Sequence, residues 1–241
     1  MDPRPRRHGG TFAQAGTAKI PVIAINSQGN GIASSVWWQL YLCEDDSPLK
    51  QSAQRIAKAR PSGKVIVIGG PPVPSLQANV KCFSDAARAA GLTIVNQTDN
   101  TKDTSANAAT LTADLFAKYR DVDAVWAYND SSALGASASA VAAGLTVSNG
   151  TTRGVIIEGT NGDPEAIEAI RQGRLTGTWD PNPVVTGMAL IKAMQDATGG
   201  QTGKRYVVRS VYYNASNIGS YVAPEKQSFK LANLPIETSG K

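Results

Sequence analysis

The chain has 241 residues, 41% of them hydrophobic and 18% charged, with two cysteines, one histidine and a net charge of +5. That length fits one large domain or two lobes, and the composition is that of a globular protein rather than a disordered one. No apolar run approaches the roughly 18 residues of a membrane span, so a membrane-inserted chain is not expected.

Taken in chain order, "MDPRPRRH" carries Arg4, Arg6 and Arg7 against Asp2, which places two of the five net charges in the first eight residues. The remainder has mixed charge and no sustained basic stripe, which argues against nucleic acid as a partner. Residues 1–19 read as an irregular tail, and Pro and Gly interrupt any apolar core of a secretory signal. His8, the only histidine, lies in that segment. Cys43 and Cys82 have no CxxC spacing and no histidine nearby in the sequence, which speaks against both a zinc site and Cys-His catalysis. They fit a disulfide in an exported chain and two buried thiols equally well.

"IPVIAIN" (20–26) opens a series of strand-like runs continued by "VIVIGG" (65–70), "LTIVNQT" (92–98), "AVWAYN" (124–129), "GVIIEGT" (154–160) and "LTGTW" (175–179). Runs this rich in β-branched residues, with helices between them, imply a parallel sheet covered on both faces. The helices are marked by Leu76, Val80, Phe83 and Ala87 ending at Gly91, by Ala108, Leu111, Leu115 and Tyr119, and by "PVVTGMALIKAMQDATGG" (183–200). "NGDPEAIEAIRQG" offers Asp163 as an N-cap, Pro164 at the first helical position and Gly173 as a stop, with Ile167 and Ile170 inward. Right-handed crossovers then give a doubly wound α/β fold. Trp37 and Trp38 in "SSVWWQLYL" read as core residues.

In such a sheet, ligands bind at the carboxyl ends of the strands. Asn26, Asn129, Asn161 and Asp180 stand at four of those ends and offer amide and carboxylate groups. Each alone would pass as a turn residue. Together they suit a polar, uncharged ligand such as a sugar, and none is a nucleophile paired with a base. "GGPPVPS" after residue 68 is neither GxGxxG nor GxxxxGK[ST], and its prolines remove amide donors, so a nucleotide cofactor is not expected. No metal site is expected either.

"GKVIVIGGPP", "DVDAVWAYNDSSALGA", "GTNGDPEAIEAIRQGRLTGTWDPNP" and "LYLCEDD", in this order and spacing, resemble the type I periplasmic sugar-binding proteins, the ribose-binding-protein-like solute receptors of ABC importers. The resemblance runs from about residue 20 to 225. It implies two Rossmann-like α/β lobes that close on a ligand at a hinge. It implies ligand contacts from Asn26, Asn129, Asn161 and Asp180. Asn79 falls where relatives often place an arginine, and Asn161 where they place an aspartate. Asp45 marks the first crossing into the second lobe. The implied partners are a sugar or polyol and the membrane components of an ABC importer, the implied location is periplasmic or extracellular, and the expected state is a monomer.

The expected division is a tail at 1–19, a partial first lobe at 20–43 and 181–210, a second lobe at 44–180, and a last crossing segment with a C-terminal tail at 211–241. Relatives carry further βα units before the strand matching "IPVIAIN", so the chain reads as truncated at its front, with sugar binding expected to be weaker than about 1 mM. Two rival functions stay open. One is the effector domain of a sugar-responsive transcriptional regulator, for which residues 1–19 supply no helix-turn-helix. The other is a small enzyme on the same sheet, for which no acid–base pair with a nucleophile is visible.

Overall fold

A computed structural model describes residues 8–240. In chain order the elements are α1 (His8–Thr17), β1 (Ile23–Ile25), β2 (Ser34–Trp38), α2 (Pro48–Ala59), β3 (Lys64–Gly69), α3 (Pro74–Ala89), β4 (Thr93–Asp99), α4 (Ser105–Lys118), β5 (Ala124–Ala127), α5 (Asp130–Ala142), β6 (Ile156–Thr160), α6 (Pro164–Arg171), β7 (Gly177–Asp180), α7 (Pro183–Thr198), β8 (Arg205–Val208), β9 (Val211–Asn214) and β10 (Ile236–Ser239). The described residues form two compact units: 8–39, 182–209 and 226–240 in the first, and 40–181 and 210–225 in the second. No helix among the described residues is long and apolar enough to cross a membrane.

The second unit is built on a six-stranded sheet in the order β4-β3-β5-β6-β7-β9. Its first five strands run parallel, and β9 closes the edge antiparallel to β7. Ile66, Ile68, Val125, Ala127 and Ile157 meet Phe116 of α4, Ala133, Ala136 and Ala140 of α5, and Ile167 and Ile170 of α6 on one face. The small side chains of α5 let it pack closely on its neighbours. On α4 the buried positions are Ala108, Thr112 and Phe116, so the helix is turned slightly from the expected stripe and leaves Leu111, Leu115 and Tyr119 half-buried.

The other face carries α2 and α3. Trp126 stacks on Phe83 at 4.4 Å between ring centroids. Glu158, in the middle of β6 and 1% exposed, accepts from Arg55 Nε and Nη2 of α2, both at 2.8 Å, and from the Tyr212 hydroxyl at 2.8 Å. The Arg55 guanidinium lies 3.5 Å from the Tyr212 ring centroid, and Trp179 Nε1 donates to Ser52 at 2.9 Å. A disulfide joins Cys43 to Cys82 of α3, with Cα atoms 5.9 Å apart, and resolves the two readings left open for these cysteines.

The first unit holds a four-stranded sheet, β1-β2-β8-β10, parallel except for β10. Val185, Ala189 and Ala193 of α7 pack on Val36, Tyr206 and Val208. The expected strand at 20–26 is shorter than the apolar run, because only Ile23–Ile25 pair with β2.

Two segments differ from expectation. Residues 8–17 form α1 rather than an irregular tail. Ala13, Gln14 and Ala15 carry its helix propensity, the Thr17 hydroxyl donates to the Ala13 carbonyl at 3.0 Å, and the chain turns out of the helix at Lys19 with φ of 55°. The basic residues Arg4, Arg6 and Arg7 lie outside the described residues. Residues 211–241 change from the second unit back to the first at about residue 225, and they end in a strand rather than a tail. Val211–Asn214 adds a strand to the second unit, and Ile236–Ser239 pairs with β8 in the first, through alternation too short to stand out in sequence.

Candidate functional site

Because β3 to β7 run parallel, their carboxyl ends share one edge of the second sheet. At the end of β5, the Asn129 side chain caps α5 by accepting from Ser132 N–H at 2.9 Å. This leaves its amide nitrogen, which donates to Asp103 at 2.6 Å. The Tyr128 hydroxyl donates to the same carboxylate oxygen. Burial, followed by the hydrogen bond to Asp103, pushes the phenol well above its ordinary range. Gly70 at the end of β3 makes room for this ring: a Cβ there would come within 2.5 Å of Tyr128.

Asp103 sits in the loop between β4 and α4, with φ of 55°. Asn100 fixes that loop from inside. It has no exposed surface, donates to the Thr104 carbonyl at 3.0 Å and to Ser132 at 2.9 Å, and accepts from Asn107 at 2.7 Å.

At the end of β6 the backbone turns through two left-handed residues, Asn161 (φ 122°) and Gly162 (φ 69°). The glycine is required twice over, since a Cβ would also strike Asp180 at 2.6 Å. Asn161 is exposed, and its side chain bonds to Asp163. Asp163 occupies the N-cap position of α6 as expected, but its side chain makes no capping bond. The carboxylate instead stays at the strand-end edge, and burial, with Glu165 and Asp103 nearby, raises its pKa. Asp180 ends β7 at 5% exposure. Its charge helps to raise the Tyr213 and Tyr221 hydroxyls, after burial itself.

Asp130, the first residue of α5, lies beneath this edge with no exposed surface. It accepts from the Thr178 hydroxyl at 2.6 Å and from Asp163 N–H at 2.8 Å. Burial raises its pKa well above the ordinary carboxylate range.

The second unit thus brings Asn129, Asn161 and Asp180 to one sheet edge. Asn79 lies elsewhere in the same unit. It is buried in the second turn of α3 and makes no hydrogen bond to this cluster. Asp45 is fully exposed just inside the second unit, paired with Lys50 at 3.1 Å.

Asn26 belongs to the first unit. It follows β1 with φ of 48°, donates its N–H to the Val36 carbonyl at 2.8 Å, and accepts from Trp38 N–H at 2.8 Å. Its side-chain oxygen is therefore used in joining β1 to β2. Trp37 and Trp38 are half-buried rather than core, and Trp38 Nε1 donates to Thr186 at 2.9 Å.

Asp103, Tyr128 and Asp130 are not among the site residues expected from the sequence. The signal for Asp103 was present, since "DNTKDTS" directly follows a strand-like run. Chemically, the edge presents carboxylates and amides to whatever lies above it, and among the described residues the hydrogen bonds to Asp103 come from Tyr128 and Asn129, both neutral donors. Among these residues the aliphatic hydroxyl bonded to a carboxylate, Thr178, is wholly buried. The arrangement suits the binding of hydroxyl donors rather than nucleophilic attack.

The sequence pattern of the periplasmic binding protein domain matches residues 7–202. No curated protein is similar to the chain at the level of sequence. Among solved structures, the fold resembles a periplasmic ribose ABC transporter protein of Conexibacter woesei, with a TM-score of 0.78 and 21% identity over 90% of this chain and 73% of that one. It also resembles a periplasmic solute-binding protein of Actinobacillus succinogenes with bound D-allose, with a TM-score of 0.73 and 22% identity over 88% and 75% of the two chains. A myo-inositol binding protein of Caulobacter gives a TM-score of 0.69 and 23% identity over 88% and 71%.

Proposed function

We propose that this chain, which belongs to the periplasmic binding protein domain family, is a solute-binding protein that takes a sugar or another polyol at the strand-end edge of its second unit. The observation that carries the reading is the convergence of Asp103, Asn129, Asn161, Asp163 and Asp180 at the ends of β4 to β7. A polyol offers several O–H donors in fixed geometry, and carboxylate oxygens accept them strongly. Asn161 and Asn129 add the capacity to donate to ring and hydroxyl oxygens. No covalent step is involved. The similar folds are those of proteins described with D-allose and myo-inositol bound and of a ribose transporter component, which supports the same ligand class.

The partner in this reading is the membrane part of an ABC importer. The Cys43–Cys82 disulfide favours an oxidising, periplasmic or extracellular location.

Calorimetric titration of the chain with D-allose, D-ribose and myo-inositol tests the proposal. Saturable binding of at least one is expected, weakened by Asn129→Ala. Absence of binding by all three up to about 10 mM, roughly 3 kcal/mol of binding free energy, overturns it.

A further inference from the structure

The consecutive residues Asn129 and Asp130 act on opposite neighbours. Asn129 reaches back to Asp103 in the loop after β4, whereas Asp130 reaches forward to the loop after β6. One dipeptide at the end of β5 therefore clips the loops on both sides of it. Asn129, though mostly buried, keeps 8% of its surface accessible at the edge. Asp130 does not: it has no accessible surface and cannot meet a ligand.

What Asp130 holds is a segment that would not keep its shape unaided. Asn161 has φ of 122°, outside the region a non-glycine residue ordinarily occupies, and Gly162 follows at 69°. Such backbone persists only where its surroundings over-determine it. Three contacts do so. Asn161 N–H donates to the Trp179 carbonyl at 2.8 Å, Gly162 N–H reaches Thr178 Oγ1 at 3.3 Å, and Asp163 N–H donates to Asp130 Oδ2 at 2.8 Å. Thr178 in turn donates to Asp130 Oδ1 at 2.6 Å, so two of the three contacts end on this one carboxylate. Among the described residues no cation hydrogen-bonds to it. Its position in the first turn of α5, where the helix dipole is positive, supplies part of the compensation.

We propose that Asp130 is a positioning residue for the polyol site: its buried carboxylate fixes the turn 161–163, so that the Asn161 and Asp163 side chains already face the ligand before it arrives. The link to a ligand rests on the sugar-binding reading; the link to the turn does not. Pre-forming the turn moves its ordering cost from binding to folding, which raises affinity without a direct contact.

The experiment uses the full chain with Asp130→Ala, Asp130→Asn and Thr178→Val, and reads amide hydrogen exchange before any ligand is added. In Asp130→Ala, exchange at Gly162 and Asp163 should rise by about tenfold or more, while β3 and β5 keep their protection. Asp130→Asn should restore most of it, because the amide oxygen still accepts from Asp163 N–H and the amide nitrogen can donate to Thr178. Unchanged exchange at 162–163 in Asp130→Ala, or uniform loss across the sheet that Asp130→Asn does not rescue, overturns the proposal. Should Asp130→Ala fail to fold, Thr178→Val decides: it should loosen Gly162 selectively, and the absence of that effect counts against the clip. Titration with D-allose, D-ribose and myo-inositol then completes the test. Affinity for whichever binds should fall about tenfold in Asp130→Ala and less in Asp130→Asn, and an unchanged affinity rejects the positioning role. If the wild-type chain binds none of them while the exchange pattern holds, the sugar reading fails and the structural role of Asp130 in the turn stands.

Discussion

Two buried carboxylates of the second unit, Glu158 and Asp130, meet opposite fates. Glu158 faces α2 and is closed off by Arg55 on both oxygens and by the Tyr212 hydroxyl. The guanidinium itself lies over the Tyr212 ring, with the Trp179 ring beside it at 5.5 Å. Asp130 faces the strand ends and receives only N–H and O–H donors. Around it stand Asp103 and Asp163, again with no cation among the described residues hydrogen-bonded to them. A carboxylate matched by a cation is a finished interaction that ties α2 to β6. Carboxylates matched only by neutral donors leave a surface that still favours hydrogen-bond donors from outside. The difference separates what holds the second unit together from what it holds.

The sharpest way to break this contrast is Arg55→Ala. It leaves Glu158 buried without its cation and should cost about 3–5 kcal/mol in urea unfolding followed by tryptophan fluorescence. A cost below about 1 kcal/mol would mean that water or Tyr212 alone can satisfy Glu158, and the two carboxylates would no longer differ in kind. Next in size is Asn129→Ala. It removes the α5 cap, worth about 1 kcal/mol of stability, and a polar ligand group's partner, worth about 1–3 kcal/mol of sugar affinity by calorimetry. A loss of stability with no loss of affinity would return Asn129 to turn chemistry. Asp163→Asn sharpens the comparison from the other side. Its side chain caps nothing, so stability should move by no more than about 0.5 kcal/mol, while affinity for the same sugar falls.

The smallest effect is with pH. Asp130 and Asp163 have folded-state pKa values raised above the ordinary 3.8. The folded chain therefore binds protons more readily than the unfolded one, and the contribution of these groups to stability grows as pH falls from neutrality toward 3.8. Asp85 and Asp121, held low by hydrogen bonds from Lys81 and Lys64, act in the opposite sense once pH drops below that value. Urea midpoints between pH 7 and 4 should thus rise for the wild type and flatten in Asp130→Asn. A wild-type midpoint that falls throughout the range would show that these carboxylates are better compensated than the contrast with Glu158 allows.

The same contrast shows what was legible in the sequence. The strands at 65–70, 124–129 and 154–160 stood out because both faces are buried and, apart from Asn129 and Glu158, their positions are apolar or small. The α2 helix was missed although Ser47 and Pro48 start it and Leu49, Ala53 and Ile56 face inward at helical spacing. Asn129, Asn161 and Asp180 were visible because each directly follows or ends an apolar run. Asp103 and Asp130 also follow such runs, but their partners lie on other elements and only the fold brings them together. An acid inside "GVIIEGT" signals a buried charge in need of a partner, yet nothing local names Arg55, 103 positions away.

The Cys43–Cys82 bond closes residues 43–82 into a covalent ring that contains α2 and β3. The ring includes the exposed turn at Pro61 and Ser62, the kind of loop tip where proteases cut. A single nick there leaves the protein one molecule, with Arg55 still tethered through Cys43 and Cys82 to α3. On a gel the nicked chain runs as one band until a thiol is added, and only then as two. The bond therefore gives the second unit a tolerance to proteolytic damage that lasts only as long as its surroundings stay oxidising.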